Sequence, residues 1–79
     1  MSSWQLNGRR VSIYSNDHAP AHVHIKMGSG KVVIYLDDQA TVRQVDKSVK
    51  ANDVKKAQEI IAAYLAFLRE KWDEIHPAK

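Results

Sequence analysis

The chain contains no cysteine, only two prolines, three glycines and one phenylalanine, and no apolar run near the ~20 residues that a membrane-spanning helix needs. Without cysteine there is no disulfide staple, no thiolate nucleophile and no zinc-thiolate site. That fits a reducing compartment, and we expect a soluble, cytoplasmic protein with no membrane association. The opening residues, Met1-Ser2-Ser3-Trp4-Gln5, lack a basic stretch leading into an apolar one, so no secretory signal is expected. At 79 residues the chain reads as one domain, 1–79, and a small core without staples makes burial against a partner valuable.

Charge is unevenly placed. The net charge is +3 and the isoelectric point is near 9.3. Residues 1–50 hold seven Lys and Arg against four Asp and Glu, whereas residues 51–79 hold five against five. The positive excess lies wholly in the first part, where it would attract phosphates. A charge of this size is also ordinary for a small soluble domain, so it does not by itself name a nucleic acid as partner.

The first part carries the period-two pattern of strands and the second the 3.6 period of a helix. Arg10–Tyr14 alternates, with Val11 and Ile13 opposite Arg10, Ser12 and Tyr14. Asn7-Gly8 before it is a two-residue hairpin signal that predicts a partner strand at Ser3–Leu6. Ala21–Met27 alternates again, with His22, His24 and Lys26 on the polar side, and Gly28-Ser29-Gly30 turns the chain. Lys31–Leu36, apolar on both faces, reads as a central strand, Asp37-Asp38-Gln39 as a turn, and Thr41–Val45 as a last strand. Beyond residue 50, Val54, Ala57, Ile61, Leu65, Leu68, Trp72 and Ile75 form one apolar stripe as far as residue 76. Ser48 or Asn52 could cap its start, and Pro77 stops it.

These patterns predict an α+β fold: an antiparallel meander of three to five strands over residues 1–46, with one long C-terminal helix over 50–76 packed on one face. A helix of that length would measure about 37 Å and overhang the strands, leaving Trp72 for a partner. The opposite face of the sheet would carry Arg10, Ser12, Tyr14, His22, His24, Lys26, Val33 and Tyr35. We expect a homodimer or a small protein partner, formed on that face or on the helix overhang.

The chemistry concentrates in Ser15-Asn16-Asp17-His18-Ala19-Pro20-Ala21-His22-Val23-His24, which holds three of the four histidines. His22 and His24, two apart on a strand, leave the same face roughly 6.5–7 Å apart at Cα. With His18 and Asp17 folded back from the loop they would form a set of three imidazoles, or of two imidazoles and a carboxylate, suited to zinc, nickel or ferrous iron. A second reading needs no metal. Two imidazoles beside Arg10 or Lys26 and Tyr14 are the equipment for cleaving RNA through its 2′-hydroxyl, one ring accepting a proton and another donating one. A third reading is purely structural: Asn16 and Asp17 make a turn, Pro20 fixes its φ, and the imidazoles sit on a strand surface without chemistry. His76, before Pro77, reads as a helix C-terminal residue favourable to the dipole when protonated.

The segment Tyr14–Ile25 resembles the signature of a bacterial and phage family known as domain of unknown function 4160, whose short members carry a Ser-Asn-Asp-His-x-Pro-Pro-His-x-His motif. A few strands and a C-terminal helix with a tryptophan placed like Trp72 complete the likeness, which spans most of the chain. Ala21 stands where the motif has its second proline, which leaves the loop before His22 less rigid and adds a backbone donor. The resemblance implies a paired, toxin–antitoxin-like module acting on RNA or on a partner protein. It also marks Asn16, Asp17, His18, His22 and His24 as the motif positions, with no roles attached. The functions that follow are a module whose histidine face, with Arg10, Tyr14, Asn16, Asp17, Lys26 and Tyr35, binds RNA or a protein, and alternatively a small ribonuclease or metal-dependent hydrolase centred on His18, His22 and His24.

Overall fold

The computed structural model describes residues 1–77. Five strands, β1 (Ser2–Leu6), β2 (Arg9–Ile13), β3 (His22–Met27), β4 (Gly30–Tyr35) and β5 (Val42–Val45), form one sheet in sequence order, every neighbouring pair antiparallel. Each bound lies within a residue of the alternation pattern because turn chemistry sets the ends. Asn7 and Gly8 both have positive φ, 50° and 76°, as the type I′ hairpin turn requires. Gly28-Ser29 closes the β3–β4 hairpin, with Met27 opposite Gly30.

Cross-strand pairs assign the two faces. Val11 faces Ile25, Ile25 faces Val32, and Val23 faces Ile34; all five are fully buried beneath the helices. Ile61 and Leu68 close the core from above at 0% exposure, each worth about 1.5–3 kcal/mol as a fully buried side chain. A Cβ on Gly30 would lie 2.5 Å from Ser48 Oγ, so only glycine lets the Asp46–Val49 turn pack onto that strand end.

The helical part departs from the expectation of one long helix. It is two, α1 (Ala51–Ala63) and α2 (Leu65–Ile75), broken at Tyr64, whose φ and ψ are −110° and 20°. Backbone bonds Tyr64 N–H to Ile60 O and Leu68 N–H to Tyr64 O carry the chain across the break. Neither proline nor glycine causes it. The apolar stripe continues through the break, with Ile60 and Ile61 buried before it and Leu68 and Trp72 after it. α1 lies over β3 and β4, while α2 sets Phe67 edge-on against Trp4, at 5.8 Å between ring centres, and sinks Leu68 and Trp72. Polar clamps fix the path: Tyr64 Oη–H donates to Asn7 Oδ1 (3.1 Å), Gln58 Nε2–H to Ala40 O (3.0 Å) and Arg69 Nε–H to Leu36 O (2.9 Å).

Two further expectations change. Neither Ser48 nor Asn52 caps the helix; Lys50 holds the N-cap position without a side-chain bond. Trp72 does not overhang. It is 8% exposed, because the imidazoles of His22, at the start of β3, and of His76 pack against its indole. Among the described residues no helix is long and apolar enough to cross a membrane.

Candidate functional site

The loop between β2 and β3 brings the site together. Asp17 N–H donates to Tyr14 O (3.1 Å), closing a turn with Ser15 and Asn16 at its corner, the residue types that favour one. The Asp17 carboxylate then accepts the Tyr14 N–H (3.3 Å) through Oδ2, which turns that oxygen back over the sheet. Chain direction puts His22 and His24 beneath it, on the side of β3 opposite the helix-covered core.

Asp17 Oδ2 lies 3.2 Å from His24 Nε2 and 3.5 Å from His22 Nε2. One ligand atom from each of Asp17, His22 and His24 falls within 4.8 Å of the others. His22 Nδ1–H donates to Pro20 O (2.9 Å), which selects the tautomer whose Nε2 carries the lone pair in the neutral ring. That Nε2 has two contacts, Asp17 Oδ2 and the Arg43 guanidinium, both at 3.5 Å, the outer limit of hydrogen bonding. His22 is only 4% exposed, and its Nε2 faces Asp17 and Arg43 through long contacts alone. Burial holds the His24 pKa below the ordinary imidazole range; its bond to Asp17 and that carboxylate's charge oppose the shift, while His22 and Lys31 add to it. His24 Nδ1 is buried without a partner.

Aromatic rings wall the cluster. Tyr14 meets His24 edge-on at 4.7 Å, His22 meets His24 at 5.5 Å, and Trp72 lies 5.4 Å from His22. His76 stacks on Trp72 at 3.9 Å, and both its ring nitrogens face carbonyl oxygens, Nδ1 that of Trp72 (3.2 Å) and Nε2 that of Tyr14 (3.1 Å); the Nε2 tautomer braces the turn that carries Asp17.

His18 does not join the cluster. It is exposed and lines the mouth of a cleft of ≈ 220 Å³ with Asn16, Asp17, Pro20, His22, Tyr35 and Arg43. The chain turns outward at His18 before it returns through Pro20, so closeness in sequence does not become convergence, and the four-residue set of His18, His22, His24 and Asp17 contracts to three. A second groove of ≈ 190 Å³, holding Arg10, Tyr14, His24, Lys26 and Lys31, lies on the same face. The expected open face is also modified, because His22, Ser12 and Val33 are buried within it by their neighbours. What it exposes is its cations and, in part, Tyr14 and Tyr35.

The sequence pattern does not mark Arg43. It follows a register shift between β4 and β5 at Val33/Ile34, where strict alternation no longer says which face a side chain takes. Trp72 and His76 read in the sequence as helix residues only, and their packing onto the site is a contact between distant parts of the chain that helical periodicity does not encode.

No curated protein and no solved structure matches the chain. Residues 8–73 match the family described as "Domain of unknown function (DUF4160)", a span that contains the whole histidine loop, all but the first strand and most of α2. The chain belongs to that family.

Proposed function

We propose that this protein is a small RNA-binding module that works within a toxin–antitoxin-like pair, using the side of the sheet opposite α1. One observation carries the reading: the imidazoles lie between two sets of exposed cations on the same face, Arg43 in one cleft and Arg10, Lys26 and Lys31 in the other groove. Tyr14 and Tyr35, half-buried there, offer ring faces or edges to bases splayed from a single strand. Acidic side chains on this face are few, and Asp17 is engaged by His24 and the Tyr14 amide. The resemblance noted in the sequence supports the paired setting.

Fluorescence anisotropy with a short single-stranded RNA, in EDTA, tests this. Binding should weaken steeply between 50 and 200 mM salt, as phosphate contacts require, and Arg10→Ala with Lys26→Ala should flatten the dependence. Salt-independent binding, or none at tens of micromolar, would exclude it and leave a protein partner as the occupant of the face.

A second reading, a ribonuclease, is favoured by the fixed tautomer of His22. Its Nε2 lone pair faces the cleft beside Arg43, a base next to a cation that could steady a pentacoordinate phosphate. RNA cleavage lost in His22→Ala and retained in EDTA would support it.

A further inference from the structure

We infer that Asp17, His22 and His24 form a binding site for one divalent first-row transition metal ion. The inference does not rest on the RNA reading.

The donor set is two imidazole nitrogens and one carboxylate oxygen with no sulfur, which suits zinc, ferrous iron, cobalt or nickel and disfavours calcium and magnesium, which prefer all-oxygen shells. The spacing is close to what an ion needs. Ligands at ~2.0–2.1 Å around a tetrahedral centre stand about 3.3 Å from each other. Asp17 Oδ2 is 3.2 Å from one imidazole nitrogen and 3.5 Å from the other, and no pair in the set exceeds 4.8 Å. A small rotation of the two rings would close the third edge.

Support behind the ligands is the second argument. His22 donates its far nitrogen to the Pro20 carbonyl, the outer bond that orients metal-ligating histidines. The same bond turns Nε2 toward Asp17 and the cleft, where its two contacts, to Arg43 and to Asp17 Oδ2, are both long at 3.5 Å, so an ion at that position would replace only weak interactions. Asp17 is held by the Tyr14 amide, and Tyr14 in turn by the His76 imidazole. His24 Nδ1 has no such partner, so His24 is the weaker imidazole of the two. Three protein ligands leave a coordination position, and the ≈ 220 Å³ cleft with Arg43 on its wall lies against His22 and Asp17, so an anionic oxygen could reach that position.

The test uses full-length protein purified without a histidine tag and stripped by chelator. Titration with Zn²⁺, read by native mass spectrometry and by competition with a chromophoric chelator, should give about one ion per chain. Co²⁺ in its place should give visible ligand-field bands of low-coordinate N/O ligation. His22→Ala, His24→Gln and Asp17→Asn should each lower affinity about tenfold or more, with His22 costing more than His24, while His18→Ala changes it less than about twofold. Imidazole nitrogen NMR of the unmutated protein guards against variants that fail to fold: Zn²⁺ should shift the His22 and His24 nitrogens and leave His18 unmoved. Weak, multiple binding, or shifts that appear at His18 and not at His22, would overturn the site. Both measurements are made without RNA, so their failure leaves the RNA reading intact, and the reverse holds.

Discussion

The Nε2 of His76 lies 3.1 Å from the carbonyl oxygen of Tyr14, 62 positions away in sequence. Its Nδ1 lies 3.2 Å from the carbonyl oxygen of Trp72, so the proton on Nε2 ties the end of α2 to the loop. Tyr14 O also accepts the Asp17 N–H, and Tyr14 N–H is given to the Asp17 carboxylate, so one residue holds both ends of the turn that delivers the acid. The end of α2 is therefore part of the support of the histidine loop. Trp72, stacked on His76 and 5.4 Å from His22, makes the same link through apolar contact.

Removing that brace should loosen the loop before it unfolds the domain. His76→Ala should cost about 0.5–1.5 kcal/mol, the usual net worth of one hydrogen bond, and quicken amide exchange at Asp17. His76→Gln, which keeps a donor near the same place, should recover part of both. Exchange at Asp17 that stays at the unmutated rate in His76→Ala would show that the turn holds itself.

His24 gives the metal-free fold a pH dependence of known sign. Its folded pKa is lowered, chiefly by burial, so below an unfolded value near 6.5 the unfolded chain binds a proton that the folded chain resists. Stability should be flat in this term above pH ~6.5 and fall as pH drops through the window between the two pKa values. Urea midpoints measured in EDTA from pH 8 to pH 5 should decline, and His24→Gln should decline less. A midpoint that rises on acidification would reverse the assignment.

Much of this arrangement is legible in the residues, and what is not has a physical reason. Strand positions are legible because Val11/Ile13 and Val23/Ile25 alternate against polar neighbours and because Asn7-Gly8 demands positive φ. The helix break is not, since the stripe from Ala57 through Ile61 and Leu68 to Trp72 keeps its period straight across Tyr64. Periodicity records which face is apolar and is silent on the path of the axis. The pairing of His22 with His24 follows from a strand's two-residue repeat, whereas His18 sits in a loop, where spacing carries no direction. Arg43 is hidden by the register shift at Val33/Ile34, and His76 by a partner at the other end of the chain.

Trp72 joins core and site, so its truncation should be severe. Trp72→Ala should cost about 3–5 kcal/mol, a large share of the ~5–15 kcal/mol available to a domain. Trp72→Phe should cost less and keep the fold, yet it should still move the imidazole signals of His22 and His76, which touch the indole. Unmoved His22 signals in a folded Trp72→Phe protein would detach the helix from the site.

Arg43 and Lys26 should separate charge from geometry in RNA binding. Both are exposed cations on the same face, and removing either should reduce the slope of log K against log salt by about 0.7, the single-strand value per phosphate contact. They differ in setting. Arg43 lies 3.5 Å from His22 Nε2 on the wall of the cleft, where a planar guanidinium can meet two phosphate oxygens at once; Lys26 stands near the far end of β3 without such a neighbour. Arg43→Lys keeps the charge and loses the fork, so it should weaken binding while leaving the salt slope almost unchanged. Lys26→Arg should alter neither by more than a small factor. Equal tolerance of the exchange at both positions would mean that Arg43 acts only as a diffuse charge, and that the cleft beside His22 is not where the phosphate sits.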